Sequence, residues 1–182
     1  MLSILLVGCV ASTPAKVADN MPLKSGEQLP SPRIVSSSPT NTGQMLPVSA
    51  QVEIGGQRIA LEVARTPQEQ AMGLMYRSSL EPNRGMLFDF NPPQPVNFWM
   101  KNTIIPLDMV FLKDGEVKAI APDVPPCTTT PCPTYGPEVP IDQVIELRGG
   151  RAAELGIKVG DRVSIKFLGG NTTTTLPTPP KF

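Results

Sequence analysis

Leu107-Asp108-Met109-Val110-Phe111-Leu112-Lys113-Asp114-Gly115-Glu116-Val117-Lys118-Ala119-Ile120-Ala121 is the stretch that decides the fold. Asp114-Gly115 is a hairpin dipeptide, because both residues tolerate the positive φ angles of a two-residue turn. In the strand before it, Leu107, Met109 and Phe111 face one way, and Asp108, Val110 and Leu112 face the other. Both faces are apolar, so Asp108 lies against hydrophobic surface and must find a partner there.

Reading outward, Val52 and Ile54 alternate with polar neighbours, Gly55-Gly56 turns the chain, and Ile59, Leu61 and Val63 alternate again. This pattern predicts a hairpin. Thr66-Pro67-Gln68-Glu69 then combines a cap, a proline suited to the first helical position and a capping-box glutamate. The helix it opens ends at Gly73 or continues toward Leu80. Residues 85–90 and 96–101 read as further strands, the first stopped by Asn91-Pro92-Pro93. Residues 122–140 are proline-rich and read as a long irregular loop. Val144-Ile145-Glu146-Leu147 is a strand, residues 151–155 a helical turn, and residues 162–167 the last strand. The expected fold is mostly β (α+β with two short helices), as a compact β-barrel or sandwich.

Composition narrows the chemistry. Lys plus Arg equals Asp plus Glu, 16 each, among 182 residues, so no basic excess is available to bind nucleic acid. Histidine is absent, which removes Ser-His-Asp and Cys-His nucleophile systems and His-ligated zinc. No metal and no cofactor is expected.

The ends have a different character. Residues 1–8 are apolar apart from Ser3, and Leu6-Val7-Gly8-Cys9 resembles a bacterial lipobox, with Cys9 as the lipidated residue. The apolar run is short and lacks a basic start, so residues 1–8 read as a truncated signal peptide. Residues 9–47 have linker composition, and a coil of that length spans on the order of 35 Å. The folded domain is then 48–168, with 169–182 a disordered tail. The expectation is an exported protein, held to the membrane through its N-terminal lipid on the periplasmic or extracellular side.

Within 48–168, four stretches resemble the DUF192 (UPF0127) family: residues 69–77, Gly85-Met86-Leu87-Phe88, residues 98–108, and Cys132-Pro133-Thr134-Tyr135 followed by Glu146 and residues 156–161. The block Trp99-Met100-Lys101-Asn102-Thr103 with Pro106-Leu107-Asp108 is the most specific of these. The resemblance implies a small, mostly β domain, often exported in bacteria, and no established activity. The closing helix–Gly–Asp–strand also looks like part of a cradle-loop barrel, by fold analogy alone.

Lys101 and Asp108 are the first candidates for chemistry, since a hairpin across residues 102–106 would bring them together. A partly buried ion pair that pins the hairpin, with Asn102 and Thr103 bonding the turn backbone, is the plainer reading. The functional alternative is a polar cluster at a pocket mouth, with Lys101 meeting a small anionic ligand. Arg77 could add a fork-shaped anion contact, although arginine at a helix end more often complements the dipole. Tyr135 flanks Cys132. Glu69 is assigned mainly to capping, Glu146 to the surface with pairing to Arg77 or Lys101 as the alternative, and Trp99 to core packing with an aromatic pocket wall as the alternative. Cys127 and Cys132 remain as an even pair once Cys9 is lipidated, and a disulfide stapling the loop is expected in an oxidising compartment, with a free, reactive Cys132 beside Tyr135 as the competitor.

The functional expectation is an envelope lipoprotein acting as a non-catalytic small-ligand-binding or interaction module, with ligand candidates Arg77, Lys101, Asn102, Thr103, Asp108 and Tyr135. One alternative is an enzyme with Lys101 and Asp108 as an acid–base pair acting on an exported small molecule or cell-wall component. The other is a structural envelope protein.

Overall fold

The computed structural model describes residues 42–169. Cys9, the signal segment, the expected linker up to residue 41 and the tail from residue 170 lie outside the described residues. The elements in order are β1 (Val48–Ile54), β2 (Gln57–Ala64), α1 (Pro67–Met72), β3 (Arg84–Gln94), β4 (Phe98–Trp99), β5 (Leu107–Lys113), β6 (Glu116–Val124), β7 (Thr134–Tyr135), β8 (Ile141–Arg148), α2 (Arg151–Glu154) and β9 (Ile165–Phe167). The domain is mostly β with two short helices, as the sequence predicts.

Seven strands form one mixed sheet in the order β6-β5-β8-β3-β2-β1-β9, and β4 pairs with β7 in a second, two-stranded sheet. The pairing of β2 with β3 is parallel, with α1 in the connection. The sheet does not close into a barrel. Its edge strands β6 and β9 are joined only by the isolated bridge Glu116–Arg162 and by loop bonds such as Val117 N–H to the Asp161 carbonyl, 2.9 Å.

Both faces of the sheet are buried, which is why β5 is apolar on both sides. One core holds Val52, Leu61, Leu87, Val110, Ile145 and Leu147, and includes Ala152 and Leu155 of the α2 region. The other holds Met86, Phe88, Met109, Phe111 and Val144, with Leu74, Val96 and Met100 from the loops that cover it. Asp108 falls on the first face with Val110, while Glu62, Met86, Glu146 and Met109 fall on the second.

Local signals account for α1. The Thr66 side chain accepts from Glu69 N–H (3.2 Å), and the Glu69 carboxylate accepts from Thr66 N–H (2.9 Å). Glu69 is thus a capping residue. Gly73 ends the helix at φ 48°, a left-handed angle that glycine adopts without strain. A Cβ at this position would sit 3.3 Å from the Phe88 ring, so glycine also lets the chain pass close over the sheet.

Several boundaries differ from the sequence reading: β6 extends to Val124 and β7 forms within the expected 122–140 loop, and β8 begins at Ile141. β3 runs through Asn91-Pro92-Pro93 to Gln94, with an irregular register between Asp89 and Gln94. The strand expected over 96–101 contracts to β4, and the last strand to β9. Gln44 and Leu46, expected in the linker, are bound into the fold: Gln44 Nε2 donates to the Gly73 carbonyl (2.9 Å), and Leu46 N–H donates to Glu62 (2.8 Å). The Cys127–Cys132 disulfide is formed, with α-carbons 5.8 Å apart.

Candidate functional site

The Lys101–Asp108 pair does not form. Asp108 is fully buried and accepts three backbone N–H groups: Asp123 (2.6 Å) and Gly150 (2.9 Å) on Oδ1, and Ala152 (2.5 Å) on Oδ2. It ties β6 and the start of α2 to β5. Lys101 is exposed on the side of the other core, with Nζ 5.1 Å from the centroid of the Trp99 ring. The two are kept apart because Asp108 lies on the first face of β5 with Val110, whereas Lys101 follows Met100, which packs into the other core. Asp108 is a structural anchor and has no surface to offer a ligand.

The second face holds a different acidic centre. Strand register places Glu62 beside Met86, Met86 beside Glu146, and Glu146 beside Met109, in one row across four strands. Glu62 is 1% exposed and is held by Arg77, itself 1% exposed, through Nη1–Oε1 (2.8 Å) and Nη2–Oε2 (2.5 Å). Arg77 Nε also donates to the Gln44 carbonyl (3.0 Å). Burial pushes the Glu62 carboxyl up, but the Arg77 and Leu46 hydrogen bonds and the charges of Arg77 and Arg84 outweigh it and hold Glu62 below the usual range. Arg77 is therefore a buried ion-pair partner, neither a dipole complement on the surface nor a free anion contact.

Glu146 has no such partner. It is 5% exposed, and its Oε2 has no hydrogen bond among the described residues. Burial pushes its carboxyl up to about 8, against the pull of the Arg77 charge. The surface placement expected for Glu146 is overturned because β8 is covered on both faces. The acid lines a cavity of about 30 Å³ with Gly73, Met75, Phe88, Trp99 and Thr103. This small cavity shares Gln70, Ala71, Phe88, Phe98 and Trp99 with an adjoining groove of about 400 Å³ that runs on to Phe90 and Gln94.

Several sequence candidates surround this cavity in supporting roles. Thr103 lines it and is buried, its hydroxyl donating weakly to the Lys101 carbonyl (3.5 Å). Asn102 accepts Tyr76 N–H on its carbonyl (2.9 Å), and its Nδ2 lies 3.8 Å from the Met75 sulfur. Tyr135 does not reach the cavity; it pairs with Phe98 across β4–β7 and so supports the aromatic wall from behind. Trp99 is 47% exposed and lines both spaces instead of filling the core. Phe98 packs edge-on to Phe88 (4.9 Å), Phe111 (5.9 Å) and Phe90 (6.4 Å), which fixes the wall. Cys127 N–H donates to the Met100 carbonyl (3.1 Å), so the disulfide loop is fastened to the same segment.

The rule applied to Asp108 would have found Glu146. Ile145 and Leu147 face one core and Val144 the other, so this acid too sits in a strand apolar on both sides. Among the described residues no cluster of His, Cys, Asp and Glu could hold a metal ion. The Glu146 cavity can accept a hydrogen-bond donor or a positive charge, or donate a proton while Glu146 is neutral.

Comparison with known proteins places this chain in a family. The family model DUF192, described as an uncharacterized ACR, matches residues 50–165. The chain is similar to a solved protein of unknown function from Novosphingobium aromaticivorans at 41% identity and a TM-score of 0.58, over 64% of this chain and 83% of that one. It is also similar to a solved protein from Sinorhizobium meliloti, described as a proposed transcription regulator, at 33% identity and a TM-score of 0.58, over 67% of this chain and 97% of that one. No curated relative matches the sequence significantly.

Proposed function

The chain belongs to the DUF192 family, and from that premise we propose that it is a non-catalytic small-ligand-binding module of the bacterial envelope whose binding site is the Glu146 cavity. One observation carries the reading: a buried carboxyl with an unpartnered oxygen lines a cavity that opens along an aromatic groove. An orphaned buried polar atom costs about 1–3 kcal/mol, and a guest that pairs with it recovers that cost. Binding sites combine apolar walls with a few placed polar groups in this way.

A small anion, the ligand expected from Lys101 and Arg77, is disfavoured at this site. The lining carries no lysine or arginine, and Arg77 is committed to Glu62. The acid–base alternative loses its pair with Asp108. A role in transcription, as described for the Sinorhizobium protein, is not adopted, because 16 basic and 16 acidic residues leave no excess charge to hold a phosphate backbone.

Export and lipid anchoring at Cys9 belong to the same proposal. The Cys127–Cys132 disulfide supports it, since such bonds persist in oxidising compartments. Labelling cells with a palmitate analogue tests the anchor: the label is expected on the wild-type chain and absent from Cys9→Ser, and an unlabelled wild-type chain would refute it.

Ligand binding is tested by screening small molecules against the fluorescence of Trp99, the sole tryptophan. Binders are expected to shift its emission and to lose affinity at least tenfold in Glu146→Gln. Binders insensitive to that change, in a variant with the wild-type near-UV spectrum, would place the site elsewhere.

A further inference from the structure

Building on the Glu146 cavity as a binding site, we infer that its guest is an organic amine, with the ammonium head against Glu146 and an apolar body along the groove of Phe90, Phe98 and Trp99. The shape of the space points to a guest of two parts. The inner cavity of about 30 Å³ takes a head no larger than a water or an ammonium, and the groove of about 400 Å³ takes the body.

Apart from the Trp99 indole N–H, the polar side chains of the inner cavity are Gln70, Thr103 and Glu146, and they face it with acceptors to spare. Gln70 spends its side-chain N–H groups on the carbonyls of Ala64 (3.3 Å) and Asp89 (3.1 Å), which leaves its amide oxygen. The Thr103 hydroxyl points its hydrogen toward the Lys101 carbonyl, which leaves its lone pairs. Glu146 Oε2 is unpaired. An ammonium head has three donors and no acceptor, the complement of this set. The remaining wall combines the aromatic Phe88, Phe98 and Trp99 with the aliphatic and thioether stretch of residues 71–75, and aromatic faces attract cations. Lys101 holds its own ammonium 5.1 Å from the Trp99 centroid, so Trp99 already serves one cation, and Phe88 and Phe98 supply the other aromatic faces of the cavity.

Binding an ammonium requires the carboxylate, so Glu146 releases its proton to solvent as the amine enters, and no bond other than O–H breaks. The charged groups around Glu146 leave that proton as the variable one. Arg77 is neutralised by Glu62, Arg84 lies 3.6 Å from the far side of Glu62, and Lys101 sits out at Trp99. β3 and β5 bring only Met86 and Met109 alongside.

The test uses the full chain and three probes of one shape: benzylammonium, benzyl alcohol and benzoate, titrated by Trp99 emission between pH 5 and 8.5. Benzylammonium is expected to bind best, its affinity rising about tenfold per pH unit up to pH 7 and levelling above 8. Glu146→Gln is expected to abolish that pH dependence and to weaken binding at pH 8.5 by at least tenfold. Gln keeps the shape of the neutral acid, and circular dichroism checks that the variant is folded. If benzyl alcohol or benzoate binds as tightly as benzylammonium and depends on Glu146, the amine assignment is overturned and the cavity remains the site. If none of the three binds in a Glu146-dependent way, the amine assignment is overturned, and the broader screen against Trp99 emission decides whether the cavity is a site at all.

Discussion

Arg77 commits its guanidinium to Glu62 and makes no hydrogen bond to Glu146, although both acids face the same core. One carboxylate is thereby held ionised and the other is left neutral at pH 7. Two buried acids on one sheet face thus have opposite protonation states, which is the arrangement that separates a structural acid from a site acid.

Breaking the first of these contacts should be costly. Arg77→Met leaves Glu62 as a buried acid without its main partner, and removing one member of a buried pair costs about 3–5 kcal/mol. Urea unfolding measures it. A loss under about 1 kcal/mol would mean that Arg84 or solvent replaces the lost partner.

Glu146 gives stability a pH dependence of known sign. Its folded pKa is about 8 against an ordinary 4.5, so between those values the folded state holds a proton that the unfolded chain has released. The contribution is full below pH 4.5 and is lost as pH rises through 8, at up to about 1.4 kcal/mol per unit. Other groups titrate too, so the comparison with Glu146→Gln isolates the effect. Relative to that variant, the wild type should weaken from pH 5 to pH 8. Parallel curves would show that Glu146 is ionised throughout.

Asp108→Asn should damage the fold and not a reaction. The amide keeps one acceptor oxygen where the carboxylate serves three N–H groups, and its own N–H₂ opposes at least one of them. Charge-assisted bonds of this kind are worth about 1.5–3 kcal/mol each. The expected loss is about 2–4 kcal/mol by chemical denaturation, with any ligand affinity at Glu146 unchanged in the folded fraction. An unaltered midpoint would refute the anchoring role.

Reducing the Cys127–Cys132 disulfide should be felt at Trp99. The loop it closes is fastened at Met100 and leads into β7, which pairs with the strand carrying Trp99. A loop this short is worth about 2 kcal/mol in the chain-entropy account. Mild reductant is expected to lower the unfolding midpoint and to shift Trp99 emission. Loss of stability with unchanged emission would separate the staple from the aromatic wall.

Much of this architecture was legible in the residues themselves. The hairpin at Asp114-Gly115, the capping box at Thr66–Glu69 and the two-faced burial of β5 are local or periodic features, and they depend only on dihedral preference and alternation. The disulfide followed from cysteine parity. Identity with the family rested on short motifs that span most of the described fold.

Which acid meets which cation was decided by tertiary structure alone. The β2–α1–β3 crossover puts Glu62 and Glu146 on one row with a single strand between them, and the sheet order brings β8 between β3 and β5. Neither neighbour relation can be read from the alternation within one strand. Periodicity says that a residue is buried; only the packed chain determines what it is buried against, because strands distant in sequence become adjacent through the pairing that folding selects.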